Sequence, residues 1–255
     1  MQIRSDLNEP TGLDAALIFG GDGTVHRHLA QLHQHKVPTL VVPTGSGNDF
    51  AKALGISSMQ TALGAWQRFC ERGDNVREID LGVIRSAEKE TLFCCVASVG
   101  LDVAANTLAN RMPAWLRGRG GYLLAAVWSL GWGRPVHVSL LAVEFQSSGL
   151  AWLVAAGNAH RYGGGLQIVP QARVDDGLLD VCLVDKMRKI KLLCAIPTVL
   201  WGGHTRFKEV RYFRTGRMRL ESESRLEIYA DGEPAGHTPA EFSVVSRALK
   251  VIVPV

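Results

Sequence analysis

Apolar runs and amphipathic stretches alternate over the first third of the chain. Residues 15–19 read as a buried strand, and 25–35 as the helix after it. Residues 39–42 form a second apolar run, and another helix opens at 49–54. Ala62, Ala65, Trp66 and Phe69 then recur at helical spacing, which predicts a helix over 59–72. Such alternation predicts a parallel α/β unit. From about residue 78 the pattern changes. Short alternating or β-branched runs recur at 78–84, 92–99, 136–146, 150–156, 178–184, 208–220, 226–231 and 242–253, with turn residues between them. They predict a β-sandwich. One helix over 120–131 interrupts it, and another begins near Arg188 and ends before Pro197. The fold class is therefore α/β plus all-β: an α/β domain over 1–80, a β-rich domain over 81–245, and a cleft between them.

Composition narrows this picture modestly. The formal net charge is +4 and the pI about 8.9. That is too little to imply nucleic acid, and it suits an anionic membrane surface. The five cysteines form no CxxC pair, and their odd number argues against a secreted disulfide framework. Residues 1–8 are polar and do not read as a signal peptide. The longest apolar stretches, near 122–132 and 192–201, fall short of the roughly 18–20 residues a membrane span needs. A cytoplasmic protein that meets lipid at the interface is expected, with a homodimer left open.

Two glycine-rich turns carry the candidate chemistry. Residues 17–24 read LIFGGDGT and residues 40–51 read LVVPTGSGNDFA. Each follows an apolar run and precedes a helical stretch. Glycines let several backbone N–H groups approach an anion closely. Asp22 and Asp49 place carboxylates beside those turns. Amides for phosphate and carboxylates for Mg²⁺ together suggest nucleotide-dependent phosphoryl transfer.

GGDGT at 20–24 with PTGSGNDFA at 43–51 resembles the diacylglycerol-kinase catalytic domain of bacterial soluble lipid kinases, which is related to sphingosine and ceramide kinases. Asp80-Leu81-Gly82, LFCCVASVGLD at 92–102, AAGNAHRYGGGLQIVPQARVDDGLLDV at 155–181 and ADGEP at 230–234 extend the match in order. GGDGT alone is shared with NAD kinases and phosphofructokinases; PTGSGNDFA and DGEP separate this chain from them. The resemblance implies an ATP- and Mg²⁺-dependent kinase acting on a hydroxyl of a diacylglycerol-like or sphingoid lipid. It implies nucleotide contacts from Gly20, Gly21, Asp22, Gly23, Thr24, Val25, His26, Gly45, Ser46 and Asn48. His26 stands where the family commonly has Asn, and Ser46 where it has Thr. Asp22, Asp49 and Asp80 would hold the catalytic Mg²⁺. Asp176, with the carbonyls of Arg173 and Leu178, would hold a second, structural Mg²⁺. Glu233 would be the general base and Asp231 its partner. Residues 246–255 would return to the first domain.

Plainer readings stand beside these. Asn48 and Asp49 are good N-cap residues. DDGLLD and ADGEP each read as an Asp-Gly hairpin turn. His26, His28, His33 and His35 lack the i, i+4 spacing of a metal pair. Residues 206–219 interleave six Lys and Arg with aromatics, which suits either a solvated strand or anionic lipid. The helix near 120–131 reads as core or as the wall of a lipid-chain pocket. The family carries a strand–helix–strand unit before GGDGT, whereas 19 residues precede Gly20 here, so the expected nucleotide domain is shortened. That opens a second reading, a weakly catalytic lipid-binding or regulatory protein. An NAD kinase is a third.

Overall fold

The computed structural model describes residues 13–111 and 119–254. Residues 1–8, read above as lacking a signal peptide, lie outside them. The chain opens with β1 (Ala16–Gly20), α1 (Asp22–His35) and β2 (Thr39–Pro43). The two strands run parallel, with Ala16 opposite Thr39. α1 buries Val25, Leu29 and Leu32 at i, i+4 and i+7, one helical stripe against the sheet. α2 (Asp49–Ala53) and α3 (Met59–Arg72) follow. Ser58 caps α3, its Oγ accepting the Thr61 N–H, and Gly73 ends it at φ 66°.

The rest is mostly antiparallel. β3 (Val76–Ser86), β4 (Glu90–Phe93) and β5 (Val96–Gly100) lead into α4 (Leu101–Arg111) and α5 (Arg119–Trp132). Next come β6 (Val136–Ala142), β7 (Gln146–Gly157), β8 (Leu179–Asp185) and α6 (Lys189–Ala195). Two 3₁₀ segments, Ile196–Trp201 and Gly203–Arg206, precede β9 (Val210–Thr215), β10 (Arg217–Ser222), β11 (Glu227–Ala230), β12 (Glu233–His237) and β13 (Ala240–Ile252). Alternate residues of these strands, among them Phe93, Val99, Leu140, Val181, Leu220 and Phe242, fill a sandwich core. A second core joins the α/β unit to the underside of the sandwich through Phe50, Ile79, Leu81 and Trp152.

β13 links the two halves. It runs antiparallel to β3, and Val251 pairs in parallel with Thr39 of β2. Its register slips between Val245 and Leu249, where Arg247 adopts φ 51°. Asp80 pins that kink: its carboxylate accepts the Arg247 N–H at 2.8 Å and the Gly177 N–H at 2.7 Å.

Four elements depart from the sequence pattern, β12 among them, since the pattern has no run over 233–237. The run at 92–99 is two strands, broken at Cys94 and Cys95. The run at 208–220 is also two, broken at Gly216. α4 matches no helix read from the sequence; Gly100, at φ 100°, ends β5 and the helix follows it.

Candidate active site

The two glycine turns touch. A Cβ on Gly45 would lie 2.5 Å from the Gly21 Cα, so only glycine lets the turns pack back to back. Asn48, at φ 54°, braces the second turn: its Oδ1 accepts the Gly45 N–H at 2.9 Å and its Nδ2 donates to the Gly45 carbonyl at 2.7 Å. Asp22 at the start of α1 reaches across to α2. Its Oδ2 accepts the Asp49 N–H at 3.0 Å and its Oδ1 accepts the Phe50 N–H at 2.9 Å. Asp49 Oδ2 in turn accepts the Gly164 N–H at 2.6 Å, which ties the α/β unit to the loop after β7.

These two carboxylates are electrostatically unusual. Burial, then the Asp22 charge, pushes Asp49 up to about 6. Burial also raises Asp22, against the two amides that favour its ionised form. Asp49 Oδ1 is buried with no hydrogen-bond partner among the described residues. A buried carboxylate oxygen without a donor beside a second carboxylate is a donor set that fits a hard cation such as Mg²⁺.

Both turns line a cavity of about 390 Å³, with Gly21, Asp22, Gly23, Thr24, Gly45, Ser46, Gly47 and Asp49 on one side. Asp231, Gly232, Cys95, Tyr162, Gly163 and Gly164 form the other. Arg27 also lines it, as do Asn106 and Tyr122. Asp231 sits in the turn between β11 and β12 at φ 51°. Its side chain is fully buried and accepts the N–H groups of Cys94, Cys95 and Val96 at 2.8, 2.8 and 3.2 Å. The Cys94 thiol donates to it as well, at 3.3 Å, and His26 Nδ1 lies 3.2 Å away. Burial alone would lower the His26 pKa; the Asp231 bond and the nearby Glu233 carry it above its ordinary value. Glu233 opens β12 and is exposed, its Oε1 3.7 Å from where a Gly23 Cβ would stand.

The family model of the diacylglycerol kinase catalytic domain matches residues 4–84. That of the YegS C-terminal NAD kinase beta sandwich-like domain matches residues 95–253. A diacylglycerol kinase of Mycobacterium tuberculosis (strain ATCC 25618 / H37Rv) is 35% identical over 95% of this chain and 78% of its own length. The chain belongs to the diacylglycerol kinase family of lipid kinases. A Pseudomonas aeruginosa (strain UCBPP-PA14) protein named "Probable lipid kinase YegS-like" is 30% identical over 95% of this chain and 78% of its own length. A solved diacylglycerol kinase structure from Bacillus anthracis str. Sterne superposes with a TM-score of 0.71 at 18% identity, covering 97% of this chain and 79% of that one. At that identity the superposition speaks for the fold alone.

Several residues that the family resemblance named stand elsewhere. Asp80 does not line the cavity; its carboxylate holds the β13 kink and the 177 turn. Val25 is core, and its N–H is spent on the Gly21 carbonyl. His26 turns to Asp231, and Asn48 to its own turn. Asp231 accepts three amide N–H groups and so shapes the 94–96 backbone. Asp176 Oδ2 is paired with Arg214, and Oδ1 accepts the Leu178 N–H at 3.2 Å. Arg173 is exposed, 3.4 Å from Asp175. A cation at Asp176 would have to displace Arg214. The histidines do not converge: His33 donates to the Ala248 carbonyl and His28 lies against Gln31. Arg27 was missed. It stands four residues after Gly23, one helical turn on, and that spacing was a usable signal.

Proposed function

We propose that this chain transfers the γ-phosphate of ATP to a hydroxyl of a diacylglycerol-like or sphingoid lipid. The observation that carries the reading is one cavity with touching glycine turns and the Asp22–Asp49 pair on one side and the Asp231–Gly232 turn on the other, with Glu233 next in the chain near Gly23. The amides of the glycine turns would cradle the phosphates, with Arg27 adding positive charge. Asp49 and Asp22 would hold Mg²⁺, which when bound neutralises charge on the phosphate oxygens. Glu233 would take the proton of the lipid hydroxyl as that oxygen bonds the γ-phosphorus and the bond to ADP breaks. A second Mg²⁺ at Asp176, with the carbonyls of Arg173 and Leu178, belongs to the proposal only if Arg214 swings away.

An adjoining apolar cavity supports a lipid acceptor. It holds about 70 Å³ and is lined by Leu101, Leu123, Leu153, Leu166, Ile168 and Ile196 among others. Tyr122 and Tyr162 line both cavities, so a chain in the apolar one would end beside the phosphate site. The predicted residues of the 120–131 helix divide here: Tyr122 and Leu123 face this space, while Leu124, Val127, Trp128 and Trp132 face outward. Among the described residues no helix is long and apolar enough to cross a membrane. We propose that the enzyme works as a peripheral protein at the cytoplasmic face of a membrane, because its proposed acceptor is a membrane lipid.

Incubation with labelled ATP, Mg²⁺ and lipids in mixed micelles tests the proposal, with labelled phospholipid the expected product. Vesicle binding without nucleotide binding would instead make this a lipid-binding protein. Phosphorylation of NAD in preference to every lipid would make it an NAD kinase.

A further inference from the structure

We infer that the outer face of α5, with α6 and the 3₁₀ segment after it, docks this protein on an anionic lipid bilayer. The inference rests on the reading of the acceptor as a membrane lipid. From Gly120 to Gly133 the sequence has no charged side chain. Tyr122, Ala125 and Leu130 of α5 are buried as expected of an inner face. The outer face is equally apolar. Leu124, Trp128 and Trp132 form an i, i+4, i+8 stripe that is 62%, 65% and 80% exposed. A helix apolar on every side belongs in a protein core or in lipid.

The neighbouring element repeats the pattern. Leu192, Ala195, Ile196 and Val199 line the apolar cavity from within, while Ile190 and Trp201 are 67% and 63% exposed. Lys189 Nζ donates to the Gly131 carbonyl at 2.8 Å, which joins α6 to the tryptophan end of α5. Exposed apolar surface concentrated on adjacent elements marks an interaction site. Tryptophan is the side chain best suited to the bilayer interface.

Charge decides the partner. Residues 186–208 carry six Lys and Arg and no Asp or Glu. Lys186, Arg188, Arg206 and Lys208 are exposed and make no salt bridge among the described residues. The strip further along differs. Arg211 pairs with Asp185, Arg214 with Asp176, Arg217 with Glu241 and Arg219 with Glu221, so its cations are already balanced. Unbalanced cations beside exposed tryptophans complement an anionic, apolar surface. The same two elements wall the apolar cavity, so docking would set that cavity beside the bilayer.

Co-sedimentation with phosphatidylcholine vesicles, with and without phosphatidylglycerol, tests this. The wild type should bind the anionic vesicles more tightly, and added salt should weaken it. The double variant Trp128→Ser/Trp132→Ser should lose about tenfold in vesicle affinity or more. Arg188→Glu, at an exposed position, should lose about fivefold or more on anionic vesicles and little on neutral ones. Val143→Ser, an exposed apolar position elsewhere, should bind as wild type. Vesicle affinity unchanged in both the tryptophan and the Arg188 variants would overturn the inference. So would a dimer that the tryptophan variant splits while its vesicle binding persists; the face would then join two copies. If the wild type binds anionic vesicles through these residues yet labels no lipid, docking stands and the kinase reading falls.

Discussion

Asp22→Asn probes the centre of the site. In the wild type, two buried N–H groups at the start of α2 end on the two oxygens of Asp22, at 2.9 and 3.0 Å. Asparagine keeps one acceptor and turns an NH₂ toward the other amide. Leaving one buried donor without a partner costs about 1–3 kcal/mol. Against this, removing the charge relieves a carboxylate whose pKa is raised by burial and, in smaller part, by Asp231, and it takes away a like charge that raises Asp49. The net loss should be about 1–2 kcal/mol, the hydrogen-bond cost less the relief. For a chain of this size that lowers Tm by about 2–8 °C. Mg²⁺ binding should suffer as well, because the Asp49 backbone loses the group that positions it. The Mg²⁺ concentration for half-maximal turnover should rise about tenfold or more. Calorimetric melts without Mg²⁺ read the first effect, and turnover against Mg²⁺ reads the second. A variant that melts with the wild type and needs no more Mg²⁺ would refute both roles. The glycine turns and the family resemblance suggested Asp22 for metal; the two amide bonds add a structural duty.

Three further outcomes are expected. Glu233→Gln should leave nucleotide binding intact and lower kcat by about 10²–10⁴-fold; a raised KM at unchanged kcat would make Glu233 a binding residue instead. Burial and the Asp22 charge push Asp49 up to about 6 from its ordinary 3.8, so the fold holds its proton more tightly than the unfolded chain does. Its contribution to stability is thus present at low pH and lost as pH rises through about 6. Mg²⁺ needs the ionised form, so the Mg²⁺-induced rise in Tm should grow between about pH 5 and pH 7; a rise already complete at the acid end would count against the site. Asp176→Ala should abolish a Mg²⁺-dependent rise in Tm if an ion binds there, measured beside Arg214→Ala. If both variants lose stability equally and the Mg²⁺ response persists, Asp176 serves the Arg214 ion pair alone.

Much of this protein is local, and local features are legible in the sequence. The α3 boundaries followed from Ala62, Ala65, Trp66 and Phe69, because helical burial repeats every 3.6 residues wherever one face is covered. The glycine turns declared themselves because Gly20 and Gly45 stand at contacts too close for a Cβ. Both parts of the fold class followed from the change of period near residue 78. What the sequence could not decide depends on groups far apart in the chain. Asp231 and the 94–96 amides are separated by more than a hundred residues, and only folding makes their bonds and so splits one predicted strand in two. Asp80 matches a family motif, yet its partners Gly177 and Arg247 are set by where β13 crosses. Arg211, Arg214 and Arg217 of the 206–219 strip looked free until folding brought Asp185, Asp176 and Glu241 beside them. The helix expected as core or pocket wall turned out half outside, because burial is a property of neighbours in space and a periodic pattern names only which residues share a face.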